Sequence, residues 1–248
     1  MTIELGTTIA GVSLPFCVMN AAGTAQSTED VRQLLGSRTG AIVLHPVTMH
    51  PFVHPSFRSM NNPGYDKLIP LIGQVVEAGK APVIAAVAGS TIDEFAFLAR
   101  VLAEAGAAII ELSLAEPWVE ASLAPFEDPT VLRDLLTRTV AACTVPVSVR
   151  LPDQRALPYG RLIEEFAMAG VRVVVISHDF IGLEKFRLEA GDSFDLIALG
   201  DIGSGWEVSR LLEKGARAVQ VTTPMTREGP PLFARLEREL RKALGDRP

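Results

Sequence analysis

One unit recurs along the chain: an amphipathic stretch, a glycine, then a short run of mostly apolar, often β-branched residues. It reads as VVEAGKAPVIAAV, LAEAGAAIIELSL, FAMAGVRVVVIS and LLEKGARAVQVTT. The glycines Gly79, Gly106, Gly170 and Gly215 suit the left-handed position that ends a helix. The runs after them are nearly all apolar, as expected of parallel strands covered on both faces. The pattern predicts eight strands, over Phe16–Asn20, Ala41–His45, Val83–Val87, Ala108–Leu114, Val147–Leu151, Val171–Ser177, Phe194–Gly200 and Ala218–Thr223. Helices fit between and after them, over Thr28–Leu35, Tyr65–Ala78, Thr91–Ala105, Pro129–Ala142, Tyr159–Ala169, Gly182–Ala190, Gly205–Lys214 and Pro231–Leu244. Leu232, Phe233, Leu236, Leu240 and Leu244 give the last helix a single apolar face.

Eight strand–helix units in 248 residues predict an α/β protein of the (β/α)8 TIM-barrel class. A doubly wound open sheet is the rival, and the strand count favours closure. Thr2–Leu14 is expected to form a small hairpin under the barrel. No linker or low-complexity stretch divides the chain, so residues 1–248 are expected to form one domain.

Composition narrows the function. The chain is 48% hydrophobic and 21% charged, enough apolar residue for a large core. Its 29 acids against 23 bases give a net charge of −6, without the basic stripe that a nucleic-acid binder needs. Cys17 and Cys143 have no paired spacing, which fits a reducing, cytoplasmic setting. No apolar run approaches the ~18 residues of a membrane span, and the N-terminus lacks a signal-peptide pattern.

In such a barrel the chemistry belongs on the loops that follow the strands. All four histidines fall there: His45, His50 and His54 after the second strand, and His178 after the sixth. A zinc site wants three or four converging ligands, and these converge only if the loop curls, so no metal is expected. Gly200, Gly203 and Gly205 lie between the seventh strand and its helix, and Thr222 and Thr223 end the eighth. Backbone N–H groups there suit a phosphate, or else form ordinary tight turns. Asp201 in that loop argues against an anion. Strand ends also present Asn20, Ser113, Glu116, Arg150, Ser177 and Asp179. Arg150 suits either an anionic or aromatic ligand or an ion pair with Glu111 or a loop acid, and Glu116 suits a general base if burial raises its pKa.

These residues resemble a known family. VMNAAGTAQSTEDVRQLLGSRTGAIVLHPVT is similar to the opening barrel unit of the class 1 dihydroorotate dehydrogenases. ELSLAEP resembles their Glu-Leu-Asn-x-Ser-Cys-Pro stretch, VPVSVRLP their Val-Lys-Leu-Pro strand end, and MNNPG their Asn-Pro-Gly loop. The segment from Ile197 to Leu244 aligns with their last two units without a gap. The resemblance implies an FMN-dependent barrel that oxidises dihydroorotate or a related small anion, cytosolic and homo-oligomeric. It also implies FMN contacts from Ala21, Ala22, Gly23, His45, Ser113, Arg150, Ser177, Gly200, Gly203, Thr222 and Thr223. Asn61 and Asn62 would touch the substrate, and Glu116 would be the catalytic base.

The departures concentrate at the active site. His45 and Arg150 align with the family's lysines, Ser113 with an asparagine, and Glu116 with the catalytic cysteine. Ile176 replaces the asparagine of an Asn-Ser pair whose serine is Ser177. Asp201 replaces the second glycine of the phosphate turn. The family's long excursion after the sixth strand is missing, which is expected to leave the face above Ser177 open. FMN binding is therefore expected to be weak or lost. The alternative is a non-catalytic barrel serving as a partner subunit or ligand-binding module.

Overall fold

The structure, a computed structural model, describes residues 4–25, 27–53, 61, 63–152, 157–177 and 180–245, with only the backbone for 180 and 181. A two-stranded antiparallel hairpin, β1 (Thr7–Ile9) and β2 (Val12–Leu14), precedes the repeat. Then follow β3 (Val18–Asn20), α1 (Thr28–Leu35), β4 (Ile42–Val47), α2 (Tyr65–Ala78), β5 (Val83–Val87), α3 (Ile92–Glu104) and β6 (Ile109–Ser113). The chain continues through α4 (Pro117–Leu123), α5 (Pro129–Ala142), β7 (Val147–Arg150), α6 (Tyr159–Ala169), β8 (Val173–Ser177) and α7 (Phe180–Ala190). It ends with β9 (Asp195–Gly200), α8 (Gly205–Glu213), β10 (Ala216–Val221), α9 (Thr223–Glu228) and α10 (Pro231–Gly245).

Local chemistry accounts for these elements. Ser27 and Ser204 cap α1 and α8 with complete capping boxes, and Thr91 caps α3 by accepting from the Glu94 amide. The four repeat glycines all have positive φ, and Gly79 and Gly170 form left-handed C-caps. Helix α10 buries Leu232, Phe233, Leu236 and Leu240 on one face, as the apolar spacing predicts. Two helices differ from the sequence reading. Helices α4 and α9 occupy stretches that read as loops, because seven and six residues are too few for an apolar period.

The eight parallel strands run in sequential order around a ring, β3–β10–β9–β8–β7–β6–β5–β4. Hydrogen-bonded ladders hold every neighbouring pair in that order. The join between β3 and β4 is made differently. The Asn20 side chain donates to the Val43 carbonyl at 2.8 Å and accepts from the Val43 amide at 2.9 Å, taking the place of a backbone peptide. Below it, the Gly40 amide donates to the Val18 carbonyl at 2.8 Å. A Cβ on Gly40 would lie 1.7 Å from the Phe16 carbonyl oxygen, so only glycine lets the two segments approach. Asn20, a strand-end candidate for chemistry, is thus a structural closure.

Inside the ring, the hairpin's Ile9 and Leu14 pack under Met19, Ala41, Val43, Ile84, Ile109, Val173 and Ala218. Asp195 fixes this plug by accepting from the Ala10 amide at 2.6 Å while its other oxygen pairs with Arg217. Farther along the strands the interior turns polar. Glu111 is fully buried and accepts from Gln220 Nε2 at 2.7 Å, flanked in register by the small residues Ala86 and Ser148.

Candidate active site at the barrel mouth

The alternation of each strand carries one further residue inward at or just after its C-terminal end, so His45, Arg150, Ser177 and Thr222 reach the cavities of the mouth, while Ser113 stays buried below them. A cavity of about 350 Å³ is lined there by Ala22, Gly23, Thr24, His45, Pro46, Glu116, Trp118, Arg150, Thr222, Thr223 and Thr226. A second, of about 410 Å³, is lined by Ala115, Arg150, Leu151, Pro152, Ser177, Leu199, Gly200 and Thr222. They share Arg150 and Thr222 and together fall within the size range of small-molecule sites. Ser177 lies in the wall of the second.

The first loop is shaped by the β3–β4 join. Asn20 Nδ2 also reaches Thr24 Oγ1, and Thr24 donates to the Ala21 carbonyl, so the turn that presents Ala22 and Gly23 is pinned from below. Ala21 itself is fully buried in the barrel interior rather than on the cavity wall. His45 is buried. Desolvation holds its pKa below the ordinary imidazole value, against a hydrogen bond to the Asn61 backbone that raises it. Its Nδ1 is buried without a partner and lies 3.8 Å from where a Cβ on Gly23 would sit. The imidazole is therefore a neutral wall, not a substitute for a lysine's charge.

Arg150 is the one cation lining the two cavities among the described residues. It acts electrostatically on two carboxyls, Glu111 beneath it and Glu116 on the cavity wall. Burial raises the pKa of both above the usual carboxylate range, and Arg150 offsets part of this. Arg150 forms no ion pair with Glu111 among the described residues; it acts on Glu111 through its charge alone and lines both cavities. Glu116 is the N-cap of α4 in extended conformation, and Pro117 starts the helix, which fixes the carboxyl at the cavity. Ser113 is buried below with its hydroxyl unpartnered.

The loop after β9 differs from a phosphate cradle. Its Gly203 and Ser204 amides both donate to Glu207 at 2.9 Å, and the Gly205 amide donates to Glu239 at 2.9 Å. Carboxylates of the chain itself thus take the places an incoming anion would fill. Gly205 serves packing: a Cβ there would lie 2.3 Å from the Leu240 nitrogen, where α8 meets α10. Gly203 lines neither cavity, and Asp201 is exposed. The residues of this loop do not fit the phosphate end of FMN.

The remaining candidates fall elsewhere. Asn61 touches His45 through its backbone but does not line the cavities, and His50 is exposed. Asn62, His54, His178 and Asp179 lie outside the described residues. Among the described residues no three His, Cys, Asp or Glu side chains gather where they could hold a metal ion. Sequence reasoning missed Trp118 and its neighbour Phe52, whose rings meet at 5.1 Å. The Glu-Pro-Trp run at a strand end, with proline at a first helical position, was the available signal.

No family model matches the chain. It is 26% identical to dihydroorotate dehydrogenase (fumarate) of Trypanosoma cruzi, over 90% of this chain and 87% of the relative. It is 24% identical to the catalytic subunit of dihydroorotate dehydrogenase B (NAD+) of Fusobacterium nucleatum, over 90% and 88%. The first alignment spans 275 positions, more than the 248 residues of this chain, so the relative carries stretches with no counterpart here. A crystal structure of ligand-free DHODH from Eimeria tenella superposes with a TM-score of 0.85 at 16% identity, over 98% of this chain and 88% of that one. No helix is long and apolar enough to cross a membrane among the described residues. Over most of its length the chain is thus similar, at low identity, to dihydroorotate dehydrogenases of the fumarate and NAD types.

Proposed function

We propose that the chain is a dihydroorotate-dehydrogenase-like oxidoreductase with a rewritten active site, acting on dihydroorotate or a related small organic anion. The observation that carries this reading is the convergence of Arg150 and Glu116 on one cavity, with Ala22, Gly23 and Thr222 in its walls. Arg150 would hold the anionic end of the substrate. Glu116 would take the proton from one carbon, the role the resemblance gives to the aligned cysteine, and the hydride leaving the neighbouring carbon would have to pass to a flavin, which would have to bind without a phosphate cradle after β9. Its raised pKa sets the pH dependence. As a base Glu116 must be ionised, so turnover should rise with pH through a value above the ordinary carboxylate range.

The carboxylates of Glu207 and Glu239 favour a second reading, a barrel that has given up FMN and binds a ligand without turning it over. One experiment separates the two. The protein is titrated with FMN and then given dihydroorotate without oxygen, while the visible flavin absorbance is followed. Bleaching that is lost in Glu116→Gln supports the enzyme. Failure to bind FMN, or bound FMN that dihydroorotate does not bleach, supports the second reading.

A further inference from the structure

We infer that Glu111 is held as the neutral acid, closed with Gln220 into an acid–amide pair, and that this pair is the positioning element that leaves the charge of Arg150 free for a ligand anion. The inference rests on the reading of the mouth as an anion site and adds the floor beneath it. Glu111 is fully buried, and its Oε2 accepts from Gln220 Nε2 at 2.7 Å. Two oxygens of the pair then stay without a partner, Glu111 Oε1 and Gln220 Oε1. Both are acceptors when Glu111 is ionised, so neither can satisfy the other. One proton on Glu111 Oε1 turns that oxygen into a donor to the Gln220 oxygen and satisfies both at once.

Among the described residues no neighbour in the ladder offers a donor instead. Ala86 has no polar side chain, and Ser148 gives its hydroxyl proton to the Ile110 carbonyl at 3.3 Å. The buried Ser113 hydroxyl makes no hydrogen bond. An ionised carboxyl in this layer would keep a charge out of water with one oxygen bare, which costs more than the neutral acid. Burial acts in the same direction by raising the Glu111 pKa. Arg150 is the charge that acts on Glu111, and it lines both cavities above. With Glu111 neutral, no counter-charge beneath the guanidinium competes with an incoming carboxylate.

Glu111→Gln keeps the shape of the pair and replaces the acid O–H by an amide N–H, so it is an isostere of the neutral state. Infrared spectra of the purified protein at neutral pH are compared with those of Glu111→Gln and Glu116→Gln. The parent is expected to show the carbonyl stretch of a protonated, buried carboxylic acid, lost in Glu111→Gln and kept in Glu116→Gln. Orotate, titrated by calorimetry, is expected to bind Glu111→Gln within about twofold of the parent. An ionised Glu111 would oppose the anion, and its removal would tighten orotate binding about tenfold or more. That tightening, an acid band that Glu111→Gln leaves unchanged, or loss of the fold in this isostere overturns the inference alone. If orotate binds neither protein, the anion-site reading falls, and with it the role given to the pair, whatever the infrared band does.

Discussion

The two halves of the barrel interior are built on opposite rules. In the lower half, the hairpin and the strand starts form one apolar cluster, and the charge at that end, Asp195, is paired with the Ala10 amide and Arg217. In the upper half, polar groups are buried and left incomplete. Of the six buried side-chain polar atoms without a partner among the described residues, four lie there: His45 Nδ1, Glu111 Oε1, Ser113 Oγ and Gln220 Oε1. An unmet buried polar atom costs about 1–3 kcal/mol, so the upper half is held at the expense of stability. The difference separates residues that keep the barrel closed from residues kept for what happens at its mouth.

Substitutions test this division most sharply at the lower end. Gly40→Ala would drive a methyl group into the Phe16 carbonyl, and nothing flexible can yield. A loss of about 4 kcal/mol or more, or no soluble folded protein, is expected in chemical denaturation. Asn20→Leu removes both bonds to Val43 and leaves that peptide unpaired in a dry interior. About 3 kcal/mol should be lost, read as a lower denaturation midpoint with an unchanged slope. A mild effect at either position would undo the idea that the lower half and the β3–β4 join carry the closure.

The upper half should respond with the opposite sign. Burial raises the Glu111 pKa in the folded state, so the fold binds a proton that the unfolded chain releases at lower pH. Stability is fully present below the ordinary carboxylate pKa and declines as pH rises through the folded value. Glu111→Gln removes the ionisation, so the variant should gain on the parent as pH increases from 5 toward 8 in thermal melts. A parent that is more stable than the variant at pH 8 would show that Arg150 holds Glu111 ionised. Ser113→Ala deletes an unpartnered buried hydroxyl and should be neutral or stabilising by about 1 kcal/mol. A clear loss instead would mean that Ser113 has a structural partner.

The sequence made the repeat legible because strands covered on both faces and helices with one apolar face each leave a periodic trace over many residues. His45, Glu116 and Arg150 were legible for a related reason: in a barrel, strand ends are the mouth. What escaped was tertiary. Gly40 is glycine because Phe16 lies against it, and Phe16 is distant in the chain. Asn20 looked like a site residue because a buried amide at a strand end has the same signature whether it meets a ligand or Val43. The loop after β9 had the glycines of an anion cradle; the Ser204-x-x-Glu207 spacing of a capping box marks Glu207, but no local pattern shows that Glu239 turns back into the loop. Trp118 sat in a stretch too short to read as helix.

The join between β3 and β4 has a consequence for how this barrel tolerates change in length. Elsewhere around the ring, several backbone pairs share the task of holding two strands in register. At this one edge the register hangs mainly on the direction in which a single side chain points. One residue inserted within β3 would turn Asn20 to the outer face and present Val43 with a neighbour that has nothing to offer. The same insertion in a surface loop would pass with little effect. Homologues that differ in length are thus expected to vary freely in their loops while keeping fixed the short count of residues between the hairpin and this asparagine.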